Sequence, residues 1–180
     1  EGLMAGGVLP VMKHVPGHGR AAADSHLALP VVDTPLEALR AHDFAPFAAL
    51  NDLPMAMTAH VVYTAIDPDR PATTSPKVIE EIIRAEIGFD GLLVSDDTSM
   101  KALSGDFPEK AEAILAAGCD LVLHCNGVME EMAGIASRTK PLAGRALERA
   151  MRAQAIIGPV DGLEESVVRD EFASFFEAVA

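Results

Sequence analysis

The sequence predicts an α/β fold, the C-terminal half of a (β/α)8 TIM barrel made of four βα units and followed by C-terminal helices. Three observations predict it. Four short apolar runs alternate with amphipathic helical stretches. The runs are apolar almost throughout, as parallel strands buried on both faces are. Each run also ends in polar, titratable residues, at the end where barrels and open α/β sheets build their sites.

The elements follow in order. "VLPVMKH" (8–14) is the first strand, and "TPLEALRAHDFAPFAAL" (34–50) the helix after it, with Thr34 as expected N-cap and Pro35 opening the first turn. "LPMAMTAHV" (53–61) is the second strand. "SPKVIEEIIRAEIGF" (75–89) is the clearest helix: Ser75 caps it, Pro76 opens it, Val78, Ile79, Ile82, Ile83 and Ile87 form one apolar stripe, and Gly88 ends it. "GLLVSDD" (91–97) is the third strand. "PEKAEAILAAG" (108–118) is a helix between an Asp106 cap and a Gly118 stop, and "DLVLHCN" (120–126) the fourth strand. "LAGRALERAMRAQAII" (142–157) and "LEESVVRDEFASFFEAV" (163–179) are terminal helices joined by a turn near Gly158 and Pro159. Residues 1–180 read as a single partial catalytic domain with no internal boundary.

Composition narrows the function. The chain has 180 residues, 49% hydrophobic and 23% charged, which suits a packed globular domain. A formal net charge of -13 argues against nucleic acid or an anionic membrane as a partner. No apolar run reaches transmembrane length. Two cysteines, Cys119 and Cys125, lack metal-type spacing and suit a reduced, cytoplasmic setting. Starting at Glu1 and entering an apolar run at once, the chain reads as a piece of a longer protein.

The chemistry gathers in "KHVPGHGRAAADSH" (13–26). Lys13 and His14 end the first strand. Pro16, Gly17 and Gly19 then force a turn, and "AAAD" leads into a loosely anchored flap. Asp24 and His26 stand two apart, so the carboxylate can orient the imidazole and hold it protonated as an acid–base group. "SDD" sets Asp96 on the barrel rim as a nucleophile or metal ligand, with one of Asp96 and Asp97 acting while the other braces or caps. Thr58 and His60 share a strand face, where His60 is expected to hydrogen-bond inside the barrel. His42 is expected on a solvated helix face, and His124 in a structural role.

The ordered set "KHVPGHG", "DSH", "MTAHVVY", "PATTSP", "GFDGLLVSDDTSM" and "AGCDLVLHCN" resembles glycoside hydrolase family 3 β-N-acetylhexosaminidases of the bacterial cell-wall recycling type, over most of residues 8–126. The resemblance implies a retaining β-N-acetylglucosaminidase acting on peptidoglycan-derived muropeptides, with no cofactor or metal. It makes Asp96 the nucleophile, His26 with Asp24 the acid–base pair, and Lys13 and His14 the residues that grip sugar hydroxyls. Family members also carry an upstream "DQEGG…R" segment that this sequence lacks, so the expected partner is the missing N-terminal half of the barrel. Three alternatives stand beside this reading. One is a metal-dependent barrel hydrolase using His14, His18, Asp24, His60 and Asp96. The second is a glycoside phosphorylase of the same fold, and the third a truncated piece inactive by itself.

Overall fold

A computed structural model describes residues 2–159, 162 and 164–177. Four parallel strands form the main sheet in the order β1 (Val11–Val15), β3 (Met55–Thr58), β6 (Leu92–Asp97) and β7 (Leu121–Leu123). Val11 stands opposite Met55, Met55 opposite Leu92, and Val94 opposite Leu121. These are the four expected strands in chain order. Sequential parallel neighbours joined through helices make an arc of a β/α barrel. Among the described residues β1 and β7 are the outer strands, each with one neighbour in this sheet.

The helices cover the outer face. A short turn, α1 (Gly2–Ala5), precedes β1, and α2 (residues 36–48) follows the first strand. Thr34 does not cap α2: Pro35 holds the N-cap position, and no side chain bonds the first turn. The next helix, α3 (Val78–Glu86), is closed at its start by Ser75 Oγ, which accepts the Val78 N–H at 3.1 Å. Gly88, at φ 78°, takes the left-handed conformation that ends the segment. Helix α4 (Phe107–Ala117) has a full capping box: Asp106 accepts from the Glu109 N–H while Glu109 reaches back to the Asp106 N–H. Its stop is Gly118, again left-handed.

The apolar stripe of α3 lands where its spacing demands. Val78, Ile79, Ile82, Ile83 and Ile87 are buried in one core with Val15, Ala56, Leu93 and Ile114. The sequence pattern leaves two features unannounced. A second sheet joins β2 (Val31–Val32), β4 (Val62–Tyr63) and β5 (Asp67–Pro71), with β2 and β4 parallel and β4 and β5 antiparallel. A helix α5 (Met129–Ala136) packs on α4 after β7.

The first terminal helix, α6 (Gly144–Ile156), is fastened to the end of the sheet opposite the candidate site by charge. Arg149 bridges Asp90 (2.7 Å) and Asp120 (3.0 Å), and Asp120 also accepts from Arg84 (2.9 Å) and the Leu93 N–H (2.9 Å). The last helix, α7, spans Glu165–Glu177; the expected extension to residues 163, 178 and 179 lies outside the described residues. No helix of the described residues is long and apolar enough to cross a membrane.

Candidate active site

The C-terminal ends of β1 and β6 and the segment that follows β1 enclose a cavity of about 500 Å³, lined by Lys13, His14, His18, Gly19, Asp24, Ser25, His26 and Asp96. All five expected site residues therefore border one space. A larger cleft of about 590 Å³ lies between β5 and α4 and contains none of them.

Local structure explains the placement. Parallel pairing with β3 carries Lys13 and His14 to the rim, and the same ladder carries Asp96 there on β6. Beyond His14 the chain turns on Gly17, whose φ of 145° disfavours a side chain and where an added Cβ would lie 3.2 Å from Asp43 Cβ. The Tyr63 hydroxyl donates to the Gly17 carbonyl from a buried position. Arg20 Nε donates to both carboxylate oxygens of Asp43, at 2.7 and 3.0 Å. Residues 14–20 are thus fixed against α2 and β4.

His14 Nε2 lies 3.7 Å from Asp96 Oδ2. Burial pushes the His14 pKa down, and the neighbouring Lys13, His18 and His26 add to this against the attraction of Asp96. His14 is therefore neutral at pH 7 and faces Asp96 as a polar group without full charge. The Asp96 Oδ1 accepts the Asp97 N–H at 2.8 Å, which fixes its carboxylate plane.

Asp97 is the brace of the pair. Its carboxylate accepts the backbone N–H groups of Ser99 and Cys125, each at 3.0 Å, and the Ser99 hydroxyl. Partial burial works to raise its pKa, but these hydrogen bonds and the nearby His124 outweigh it, so the net shift is downward. His60 lies beneath, fully buried between the Thr73 hydroxyl (2.8 Å) and the Asp97 carbonyl (3.1 Å). A carbonyl can only accept, so Nε2 carries a proton towards Asp97, while the Thr73 hydroxyl beside Nδ1 also bonds the Ala59 carbonyl at 3.0 Å. This is the internal role expected of His60. His42 is exposed on α2, also as expected. His124 Nδ1 bonds Thr98 Oγ1 at 2.9 Å at the end of β7, a structural contact.

On the opposite side of the cavity, Asp24 Oδ1 accepts both the His26 backbone N–H and its ring Nδ1, each at 2.9 Å. Those two bonds, backbone first, hold the Asp24 carboxyl below its usual range. Asp24 is thus an anion that fixes the His26 tautomer and leaves Nε2 free. The carboxylates lining the cavity are Asp24 and Asp96, and only Asp96 is without an imidazole hydrogen-bonded to it.

Of the residues named for the metal-ligand alternative, His14, His18, Asp24 and Asp96 border the cavity. Among the described residues no three His, Cys, Asp or Glu side chains are grouped to hold an ion, and His60 commits both nitrogens inside the protein. His18 and Ser25 are the residues this neighbourhood adds. The sequence marks His18 only as a possible ligand, and Ser25 gives no signal beyond standing inside "DSH".

Comparison with known proteins identifies the family of the chain. Residues 1–155 match the glycosyl hydrolase family 3 N terminal domain. The chain is 41% identical over 155 residues to a beta-hexosaminidase of Idiomarina loihiensis, covering 83% of this chain and 47% of that protein. It is 47% identical over 129 residues to a beta-hexosaminidase of Pseudomonas aeruginosa, covering 70% and 39%. The chain therefore spans less than half the length of these relatives. Among solved structures, a family 3 beta-N-acetylglucosaminidase from Paenibacillus sp. superposes with a TM-score of 0.76 at 32% identity, over 88% of this chain and 34% of that one. The beta-N-acetylglucosaminidase from Thermotoga maritima gives 0.69 at 33%, over 86% and 36%. With the family match, the identities and the superposed fold in agreement, the chain belongs to glycosyl hydrolase family 3 and carries part of that family's N-terminal domain.

Proposed function

We propose that residues 1–180 form one partial catalytic domain, the C-terminal half-barrel of a retaining β-N-acetylglucosaminidase. The observation that carries this reading is the cavity in which Asp96 faces a histidine–aspartate pair. Asp96 attacks the anomeric carbon as the bond to the leaving oxygen breaks, and His26 Nε2 gives its proton to that oxygen. The glycosyl ester on Asp96 then breaks as a water attacks the same carbon and passes its proton back to His26. Asp24 keeps His26 oriented and gives its ring a carboxylate partner throughout. Lys13 and His14 border the same space, where a cation and a neutral imidazole suit sugar hydroxyls. Beta-hexosaminidase relatives support a carbohydrate substrate with a terminal N-acetylhexosamine. The muropeptide substrate and cytoplasmic setting belong to the same proposal, as does closure of the site by the other half of the barrel.

The test is release of p-nitrophenol from p-nitrophenyl β-N-acetylglucosaminide with EDTA present. It compares this chain alone, the chain joined to an upstream family 3 half-barrel, and the joined form with Asp96→Asn. Activity lost in Asp96→Asn supports the reading; activity that survives it removes Asp96 as nucleophile. A second reading, glycoside phosphorolysis, is favoured by the acid–base group being an imidazole, which repels phosphate less than a carboxylate does. Phosphate-dependent release of sugar-1-phosphate would mark it.

A further inference from the structure

Residues 22–29 form an exposed loop with one exception. Ser25 is 6% exposed, while its neighbours Asp24 and His26 have side chains 58% and 74% exposed. A small polar residue buried in the middle of an exposed loop needs a partner. Its hydroxyl has one in His18 Nε2, at 3.3 Å. Among the described residues this is the one side-chain hydrogen bond joining 22–29 to the rest of the chain. The remaining bonds of the loop are internal: Asp24 to His26, and Leu27 and Ala28 N–H to the Asp24 carbonyl.

We propose that His18 and Ser25 are positioning residues for the acid–base pair: their hydrogen bond docks the loop over Asp96 and sets where the His26 proton is delivered. The inference rests on the glycosidase reading above and adds to it a latch with a defined place. Ser25 lies between Asp24 and His26, so anchoring its side chain fixes both flanking Cα atoms, each about 3.8 Å away. The His18 ring packs 5.5 Å from the His14 ring, and His14 in turn faces Asp96. A continuous line of contacts therefore runs from the candidate nucleophile to the candidate acid. The ground under the latch is rigid, because Arg20–Asp43 and Tyr63–Gly17 hold the turn that carries His18. Misplacing a proton donor by about 1 Å is enough to cost a large part of its contribution.

The experiment compares Ser25→Ala, His18→Phe and His26→Ala in the active form of the protein. Two β-N-acetylglucosaminides are used, one with a p-nitrophenolate leaving group and one with an alkyl alcohol. A good leaving group departs without protonation, whereas a poor one needs the acid. The latch predicts that kcat/KM on the alkyl glycoside falls about 10-fold in Ser25→Ala and His18→Phe, a fraction of the roughly 100-fold or greater loss in His26→Ala. On the p-nitrophenyl substrate kcat/KM stays within about 2-fold in both latch variants. Equal losses on both substrates, or none on either, overturn the latch while leaving the glycosidase reading intact if His26→Ala shows the leaving-group effect. If His26→Ala lacks that effect, the acid–base assignment fails and the latch with it. Hydrogen exchange provides an independent readout: amides 21–29 should exchange faster in Ser25→Ala with those of β1 and β6 unchanged, and unchanged exchange in the loop overturns the proposal.

Discussion

Asp97 accepts the backbone N–H of Cys125 at 3.0 Å, so the carboxylate beside the candidate nucleophile joins the end of β6 to the chain just past β7. The two adjacent aspartates thereby take separate roles, with Asp96 turned to the cavity and Asp97 spent on backbone donors and Ser99. Replacing Asp97 by Ala leaves those donors without their charged acceptor, which costs roughly 1–3 kcal/mol. Chemical denaturation should show that loss, and kcat should fall as the end of β6, which carries Asp96, loses its side-chain tie to the chain past β7. An unchanged kcat in a destabilised Asp97→Ala protein would confine Asp97 to stability.

The pH dependence of stability follows from two imidazoles. Burial lowers the pKa of both His14 and His60 below the unfolded value of about 6.5. Between the folded and unfolded values the unfolded chain binds more protons, so stability is full above about pH 6.5 and is lost as pH falls towards the folded pKa. Urea unfolding at pH 7.5 and 5.5 should give a lower stability at 5.5. The drop should shrink in His60→Gln, since the remaining amide does not titrate, and an equal drop in that variant would place the effect elsewhere.

Asp120 is 7% exposed and stands between Arg84 and Arg149, whose side chains are 11% and 12% exposed. Asp120→Ala removes the carboxylate partner of Arg84 and the acceptor of the Leu93 N–H at the end of the sheet opposite the candidate site, while Arg149 keeps Asp90. A loss of about 3–5 kcal/mol is expected, in the range for removing one partner of a buried ion pair. Thermal unfolding checks it, and the double variant Asp120→Ala with Arg84→Met should recover part of the loss.

A Cβ added at Gly17, where φ is 145°, would lie 3.2 Å from Asp43 Cβ, so Gly17→Ala strains the backbone and presses on the anchor of Arg20 together. About 1–3 kcal/mol of strain is expected. Activity on a poor-leaving-group substrate should fall more than activity on p-nitrophenyl glycoside, because the turn carries His18. Equal falls would show that the turn matters for folding alone.

The main sheet was legible because its strands lie in long apolar runs and its helices carry their own punctuation, as Ser75, Asp106, Gly88 and Gly118 show. The second sheet was not. Val31–Val32 and Val62–Tyr63 are too short to show any period, and "DPDRP" has two prolines and three charges, a composition that argues against a strand except at an edge. Helix α5 has Val128 at its N-cap position and no side-chain cap, which removes the usual start signal. For the site, motif and strand-end position were enough to place Asp96, His26, Asp24, Lys13 and His14 around one space. The link from His18 to Ser25 depends on how the loop between them folds back, and no periodic pattern encodes that.

Helix α2 and the small sheet give the loop its two fixed ends. Residue 20 is tied to Asp43, and residue 31 is paired with Val62 in β4. His26 is thus held on tethers of six and five residues, the shorter reaching roughly 17 Å when fully extended. A single imidazole confined to that radius has a local concentration on the order of 0.1 M. Tethering alone therefore gives an acid no better than a concentrated buffer, and any advantage over such a buffer must come from orientation. The two ends set how far the histidine can wander; the one hydrogen bond between them sets where it stops.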